Sequence, residues 1–478
     1  MTHFITQLIS RDECKTLEFK RDASSPRPIL KALIAFANSA GGRLVIGVAD
    51  DKQIVGVENP LDEEERLCNL IADSISPRLV PNIELVTLDD KTLMVVEVFL
   101  SNSRPHWLNT EGAQEGVYVR LGSSNRKADH ALIAELRRSV EGVVFDEMAM
   151  PDLLVDDLDL KAAQQAFGDR RHLDEQALLT LKLLTHHQGK LVPTKGGILL
   201  FGKQRTFHFS DAWIQCGRFF GTKKIDIFDH IEIDEPLPKA VDEVMLFMKK
   251  HAFRGADLSE VRRKDVWSIP LGILREVIIN AIVHSDYSQR GAPIRVVFLD
   301  DRIEVESMGI LLPGLTIEEM KQGTSRIRNH VIARLFRELD LVEQWGTGVR
   351  RIFEEARELK LPEPKIEEVG MRLRFTVYLS KPHQISSTRS GVQSEEDAKS
   401  RLESRLESKL AVRIFALLSE KEMRKSELAE KLGHKSISGE LNKQIKRLLD
   451  MGYIERTIPD KPNSRLQKYR ITKGNTKV

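Results

Sequence analysis

The chain has 478 residues, 41% hydrophobic and 30% charged, ordinary usage for folded domains that excludes wholesale disorder and fibrous repeats. At roughly 100–200 residues per domain this length predicts about three domains. The net charge of +2 hides an asymmetry, because Leu406–Val478 carries 17 Lys+Arg against 9 Asp+Glu, a net of +8 that leaves −6 on the rest, so a basic C-terminal module on an acidic body predicts a nucleic-acid partner at one end.

Taken in chain order, residues 4–145 read as mixed α/β. Strands are expected at Lys15–Arg21, Arg43–Val48, Asn82–Leu88, Leu93–Leu100 and Gly116–Leu121, with helices at Pro28–Asn38, Asp62–Ser76 and His130–Ser139. The acidic stretch Asp146–Asp159 reads as a linker, and residues 160–380 again mix helices and strands. A Ser/Gln/Glu/Arg-rich linker covers residues 381–405. Residues 406–478 read as three short helices, Leu410–Leu418, Ser426–Leu432 capped by Ser426, and Gly439–Met451, followed by a β-hairpin. No repeat of 20–50 residues is visible, which excludes a solenoid. The predicted class is α+β multidomain.

Three scattered cysteines (Cys14, Cys68, Cys216) with no CxxC exclude a disulfide framework and a zinc site, and fit a reducing cytoplasm. No apolar run reaches the ~18 residues that span a bilayer. The start MTHFITQLISRDECK lacks the basic-then-apolar pattern of a secretory signal.

The most informative stretch is LREVIINAIVHSDY, Leu274–Tyr287. Glu276, Asn280 and His284 follow at i, i+4 and i+8, drifting about 40° per step along one helical face. The Asn carbonyl can ligate Mg²⁺ and the Glu can accept a proton from an attacking water; the plain alternative is the wet side of an amphipathic helix. Two strands, Pro293–Leu299 and Arg302–Glu306, come next. A loop bearing Gly309 and Gly314 follows, and then Gly346-Thr347-Gly348 before a helix starting near Val349. Glycines entering a helix present free N–H groups to phosphate. A Walker-like string at Gly197–Lys203 (GILLFGK) has Gln204 where Ser or Thr is needed. It reads as a buried strand, and helicase activity is not expected.

The order of E-x3-N helix, glycine loop and GTG entry resembles the Bergerat-type ATP fold of gyrase, heat-shock chaperones, sensor kinases and mismatch-repair ATPases. LREVIINAIVHSDY, DDRIEV, SRIRN and VEQWGTGVRRIF look like the domain labelled RecG C-terminal. The resemblance implies a Bergerat-type α/β sandwich in which Asn280 holds Mg²⁺ with ATP. Glu276 orients or deprotonates water, as in a weak Mg²⁺-dependent ATPase. It further implies that Gly346, Thr347 and Gly348 cradle phosphates and that Arg328 and Asn329 shape the pocket, with His284, Ser307 and Gly309 beside the nucleotide. The fold usually has Asp before its first glycine loop and this subfamily Asn-Pro-Gly, whereas this chain reads Ser307-Met308-Gly309.

Residues 13–57 (ECKTLEFKRD…AFANSAGGRLVIGVADDKQIVGV) and GVYVRLGSSNRKAD resemble the Schlafen AlbA-like domain, which is tied to nucleic-acid binding and in animal Schlafens to RNA cleavage. Glu18 and Lys20 lie two apart, on one face of a strand. With Glu13 and Asp50 they either hold a divalent cation against a phosphodiester or form a surface salt bridge. Ala49 stands where the family reads Asp in Gly-Val-Asp-Asp, which argues against a nuclease. At the C-terminus, LLDMGYIER followed by a polar turn and YRIT resembles winged-helix domains. That resemblance implies that Lys435, Ser438, Asn442, Lys443 and Lys446 face a major groove and that Lys461, Arg465 and Lys468 meet phosphates from the wing. The whole is similar to prokaryotic Schlafen-type transcriptional regulators. It implies an ATP-binding, homo-oligomeric, duplex-DNA-binding regulator, with an ATP-gated metal-dependent nuclease as the alternative.

Overall fold

The structure, a computed structural model, describes residues 2–252, 254–257, 264–267, 269–342, 348–379, 410, 413–414, 417–418, 421–432, 439–450, 453–458 and 467–472. The chain divides into two compact units, Met1–Ile385 and Ser386–Val478. It is a multidomain α+β protein with mixed sheets. No helix among the described residues is long and apolar enough to cross a membrane.

The first unit opens with a helix, Thr2–Ser10, that sequence reasoning passed over. A four-stranded sheet follows, in spatial order Leu17–Lys20, Gly42–Ile46, Lys91–Val98, Asn82–Leu88. The first pair is parallel, joined by the Pro26–Asn38 helix, whose proline start and apolar face suit a helix laid on a sheet. Alternation along these strands feeds two cores, one containing Ile34, Phe36, Leu44 and Val96, the other Leu17, Phe19, Val45 and Leu93.

The larger sheet has six strands in the order Ile227–Ile233, Ile214–Phe219, Ile294–Phe298, Arg302–Met308, Arg372–Tyr378, Lys365–Val369. All neighbours are antiparallel except Ile214–Phe219 with Ile294–Phe298. In Arg302–Met308, Ile303, Val305 and Ser307 share one face and Glu304 and Glu306 the other, where Lys224, Arg372 and Arg374 surround the two glutamates. The Leu271–His284 helix contributes eight buried apolar side chains to the main core. Apolar on nearly every side, it belongs inside the unit.

Two readings in the first unit need correction. GILLFGK is a helix, Lys195–Phe201, and not a strand; it is capped by Thr194, whose Oγ1 accepts from the Gly197 amide at 2.9 Å. A run buried on all sides does not distinguish helix from strand by periodicity, and here the Thr194 cap marks a helix start. The acidic stretch Asp146–Asp159, read as a linker, is anchored at its first residue. Asp146 is fully buried and accepts from the amides of His330, Val331 and Ile332 at 3.0, 2.7 and 3.0 Å. It thereby satisfies three donors at the start of the His330–Glu338 helix.

In the second unit, residues 410, 413–414 and 417–418 are helical. Helices Lys425–Lys431 and Gly439–Asp450 follow, and Ile454–Arg456 pairs antiparallel with Tyr469–Ile471. A core of Ile414, Leu418, Leu428, Leu441, Ile445, Leu448 and Ile454 holds them together. Ser426 is not the helix cap, since Arg424 occupies that place and its amide donates to Glu427 Oε2 at 2.8 Å. The 381–405 linker lies outside the described residues.

Candidate nucleotide site

The Leu271–His284 helix carries four polar residues, Arg275, Glu276, Asn280 and His284, and the last three open on one cavity. Ser307, Gly309, Arg328 and Gly348 line the same cavity, so seven residues expected at a nucleotide site meet there. Asn280 Nδ2 donates to Glu276 Oε1 at 2.9 Å, leaving the Asn280 carbonyl oxygen as the atom suited to a hard cation.

The Gly348–Glu358 helix brings its N-terminal end to the Glu276 carboxylate. A Cβ on Gly348 would overlap that carboxylate, so glycine is what permits the approach. An anion is stabilised at this end of a helix. Gly346 and Thr347 lie outside the described residues.

Gly309 sits at φ +98°, and a Cβ there would overlap Arg328 Nη1. Arg328 donates to the carbonyls of His284 (3.2 Å) and Ile310 (2.6 Å) and pairs with Glu135 at 3.1 Å. It therefore braces the cavity wall. Burial pushes the Glu135 carboxyl up to about 7, with Arg328 opposing the shift and Asp286 adding to it. Burial, reinforced by the Arg328 charge, drives His284 down to about 4, so its imidazole is neutral at pH 7.

Asn329 is buried but does not line the cavity. Its amide donates to the carbonyls of Val283 (2.9 Å) and Ser285 (2.7 Å), tying the end of one helix to the start of another. Sequence reasoning missed Arg326 and Arg337, which do line it. The signal for Arg326 was present in SRIRN, whereas Arg337 depends on the helix placement.

The carboxylates of the first domain do not gather. Glu18 is buried and engaged by the fully buried Arg120, by Lys20 at 2.6 Å and by the Asn125 amide at 3.3 Å. Arg120 also donates to the carbonyls of Cys14 and Leu17 at 3.2 and 3.1 Å. Glu13 Oε1 accepts from the Phe19 amide at 2.8 Å. Asp50 is exposed in the turn between Val48 and its bridge partner Ile54. Among the described residues no three His, Cys, Asp or Glu side chains form a metal-holding group, so the structure does not assemble Glu13, Glu18 and Asp50 as a cation site.

In the second unit, Asn442, Lys443 and Lys446 are exposed on the Gly439–Asp450 helix, with Asn442 Oδ1 accepting from Lys425 Nζ at 2.8 Å. Lys468 is half-buried beside the hairpin, its amide donating to Thr457 Oγ1 at 3.1 Å. Lys435, Ser438, Lys461 and Arg465 lie outside the described residues.

Comparison with protein families accounts for three regions. Residues 13–129 match "Schlafen, AlbA_2". The chain carries a Schlafen AlbA_2 domain. Residues 291–379 match the family described as ATP-dependent DNA helicase recG C-terminal, and 411–472 match the C-terminal domain of Fic-like (filamentation induced by cAMP) proteins. The AlbA_2 domain is thus followed by an ATPase-like domain, which implies nucleotide binding. The helix bearing Glu276 and Asn280 precedes the residues matched to the ATPase-like family, and the cavity joins it to them. No curated protein matches the chain.

Among solved structures, the DIP2311 protein of Corynebacterium diphtheriae is similar at 18% identity, covering 98% of this chain and 96% of that one, with a TM-score of 0.43. The N-terminal domain of a RecG-related protein from Nitrosomonas europaea is similar at 28% identity, covering 27% of this chain and 92% of that one, with a TM-score of 0.22.

Proposed function

We propose that the chain is an ATP-binding, DNA-binding regulator of transcription, acting as a cytoplasmic homo-oligomer whose nucleotide state sets protomer pairing or DNA engagement. The observation that carries the nucleotide half is the cavity between the Leu271–His284 helix and the six-stranded sheet, where Glu276 and Asn280 face the glycine start of the Gly348–Glu358 helix. Asn280 Oδ1 would hold Mg²⁺, which supplies charge neutralisation for the phosphates. The amide end of the Gly348–Glu358 helix would meet phosphate oxygens, with Arg326, Arg328 and Arg337 supplying positive charge on the cavity lining while His284 stays neutral. Glu276, hydrogen-bonded to Asn280, stands where it can orient or deprotonate a water, giving at most slow hydrolysis.

The DNA half rests on the +8 balance of Leu406–Val478 and on the exposed Asn442, Lys443 and Lys446 of a helix that precedes a β-hairpin. These features support reading the unit as a winged helix, whose last helix would enter a major groove while the hairpin would lie along the backbone. The test is calorimetric titration of the purified chain with ATP in the presence of Mg²⁺. Saturable binding that is lost in Asn280→Ala is expected. Equal ATP affinity in wild type and Asn280→Ala would sink the site assignment.

A further inference from the structure

The cavity wall from Gly309 to Leu315 has two sides. Gly309, Ile310, Leu311, Leu312 and Leu315 line the cavity. On its other side the same loop is seated in residues that precede the ATPase-like domain. Ile310 belongs to an apolar cluster with Val117, Val119, Leu132, Ile133 and Leu136. The Gly314 amide donates to the Ser39 carbonyl at 2.6 Å.

Two ion pairs fasten this seat. Glu368 Oε1 accepts from the Leu311 amide at 2.9 Å, and the same oxygen meets Lys15 Nζ at 2.7 Å. Both side chains of that pair are buried, at 8% and 2% exposure. Arg328, which holds the Ile310 carbonyl, is itself held by Glu135 of the His130–Glu141 helix. Surface pairs do little, but a buried pair that also fixes a loop amide restricts where that loop can sit.

We propose that Lys15 and Glu135, both outside the ATPase-like domain, are positioning residues for the nucleotide cavity, so that the site is completed by the AlbA_2 domain and the helix that follows it. Lys15 orients Glu368 and through it the Leu311 amide. Glu135 orients Arg328 and through it the Ile310 carbonyl and the approach at Gly309. Because the same contacts hold both domains, nucleotide that tightens the loop also tightens the His130–Glu141 helix, and the coupling is reciprocal.

This inference rests on the proposed ATP site, and its experiment separates the two. Full-length wild type, Glu135→Gln, Lys15→Ala, Glu368→Ala and the Lys15→Ala/Glu368→Ala double variant are titrated with Mg²⁺-ATP. Amide hydrogen exchange is followed over residues 130–141 with and without nucleotide. Each single variant is expected to bind about tenfold more weakly, and the double no more weakly than either single, since all three break one linkage. Wild type should show slower exchange in 130–141 on adding nucleotide, and Glu135→Gln should lose that response. Where Lys15→Ala or Glu368→Ala fails to fold, Glu135→Gln, which keeps the side-chain volume, carries the test. ATP binding by wild type with unchanged affinity in Glu135→Gln and no nucleotide response in 130–141 would overturn the inference and leave the ATP site standing. No ATP binding by wild type would overturn both.

Discussion

Replacing Gly309 by alanine should damage the first unit through two effects that a second glycine separates. At φ +98° an L side chain is strained by about 1–2 kcal/mol. The added Cβ would also overlap Arg328 Nη1 and lie 2.8 Å from Asp286 Cβ, so the guanidinium must leave. Its departure breaks the hydrogen bonds to His284 and Ile310 and strands the buried Glu135, a loss of roughly 3–5 kcal/mol for a broken buried pair. The expected total is therefore about 4–7 kcal/mol. Gly323, at φ +97° with nothing within 4 Å of its Cβ position, should show only the backbone cost of about 1–2 kcal/mol in Gly323→Ala. Urea unfolding followed by tryptophan fluorescence reads this unit alone, because Trp107, Trp213, Trp267 and Trp345 all precede residue 385. Gly309→Ala and Gly323→Ala with the same midpoint would refute the claim that Arg328 braces the wall.

Glu276→Ala should retain Mg²⁺-ATP binding within a few-fold and lose any measurable phosphate release; unchanged release would remove Glu276 from the chemistry. His284 has its folded pKa pushed down to about 4 from 6.5, so the unfolded chain takes up a proton first as pH falls. Wild type should therefore lose stability relative to His284→Gln between about pH 6.5 and 4 and keep a constant difference above that window, as read by unfolding at stepped pH. Ending the chain at residue 380 should remove most duplex-DNA affinity, and in the full chain Lys461→Ala with Lys468→Ala should flatten the dependence of log affinity on log salt by about one per lost phosphate contact; equal DNA binding by the shortened chain would assign the basic module wrongly. Incubation with tRNA, single-stranded RNA or DNA and Mg²⁺ or Mn²⁺, with and without ATP, should give no cleavage, since Glu18 is committed to Arg120 and Asp50 faces solvent. Metal-dependent cleavage that disappears in Glu18→Ala would reverse that reading.

The sequence by itself determined the elements whose signals are local. Alternation over Asn82–Leu88 and the i, i+4, i+8 spacing of Glu276, Asn280 and His284 depend only on strand and helix geometry, and the structure has that strand and that helical face. The charge split and the glycine entering the Gly348–Glu358 helix are likewise properties of short segments. Only the tertiary structure decided the partners of buried polar groups. Asp146 read as the start of an acidic linker until the His330–Glu338 helix supplied three amides to it. Glu18 read as half of a surface pair or a cation ligand until Arg120, 102 residues later, was buried against it. Glu135 and Lys15 carried no signal at all, because their partners Arg328 and Glu368 lie nearly two hundred or more residues away. The reason is energetic: a buried charge persists only where a counter-charge meets it, and that meeting depends on how distant segments pack, which no local pattern encodes.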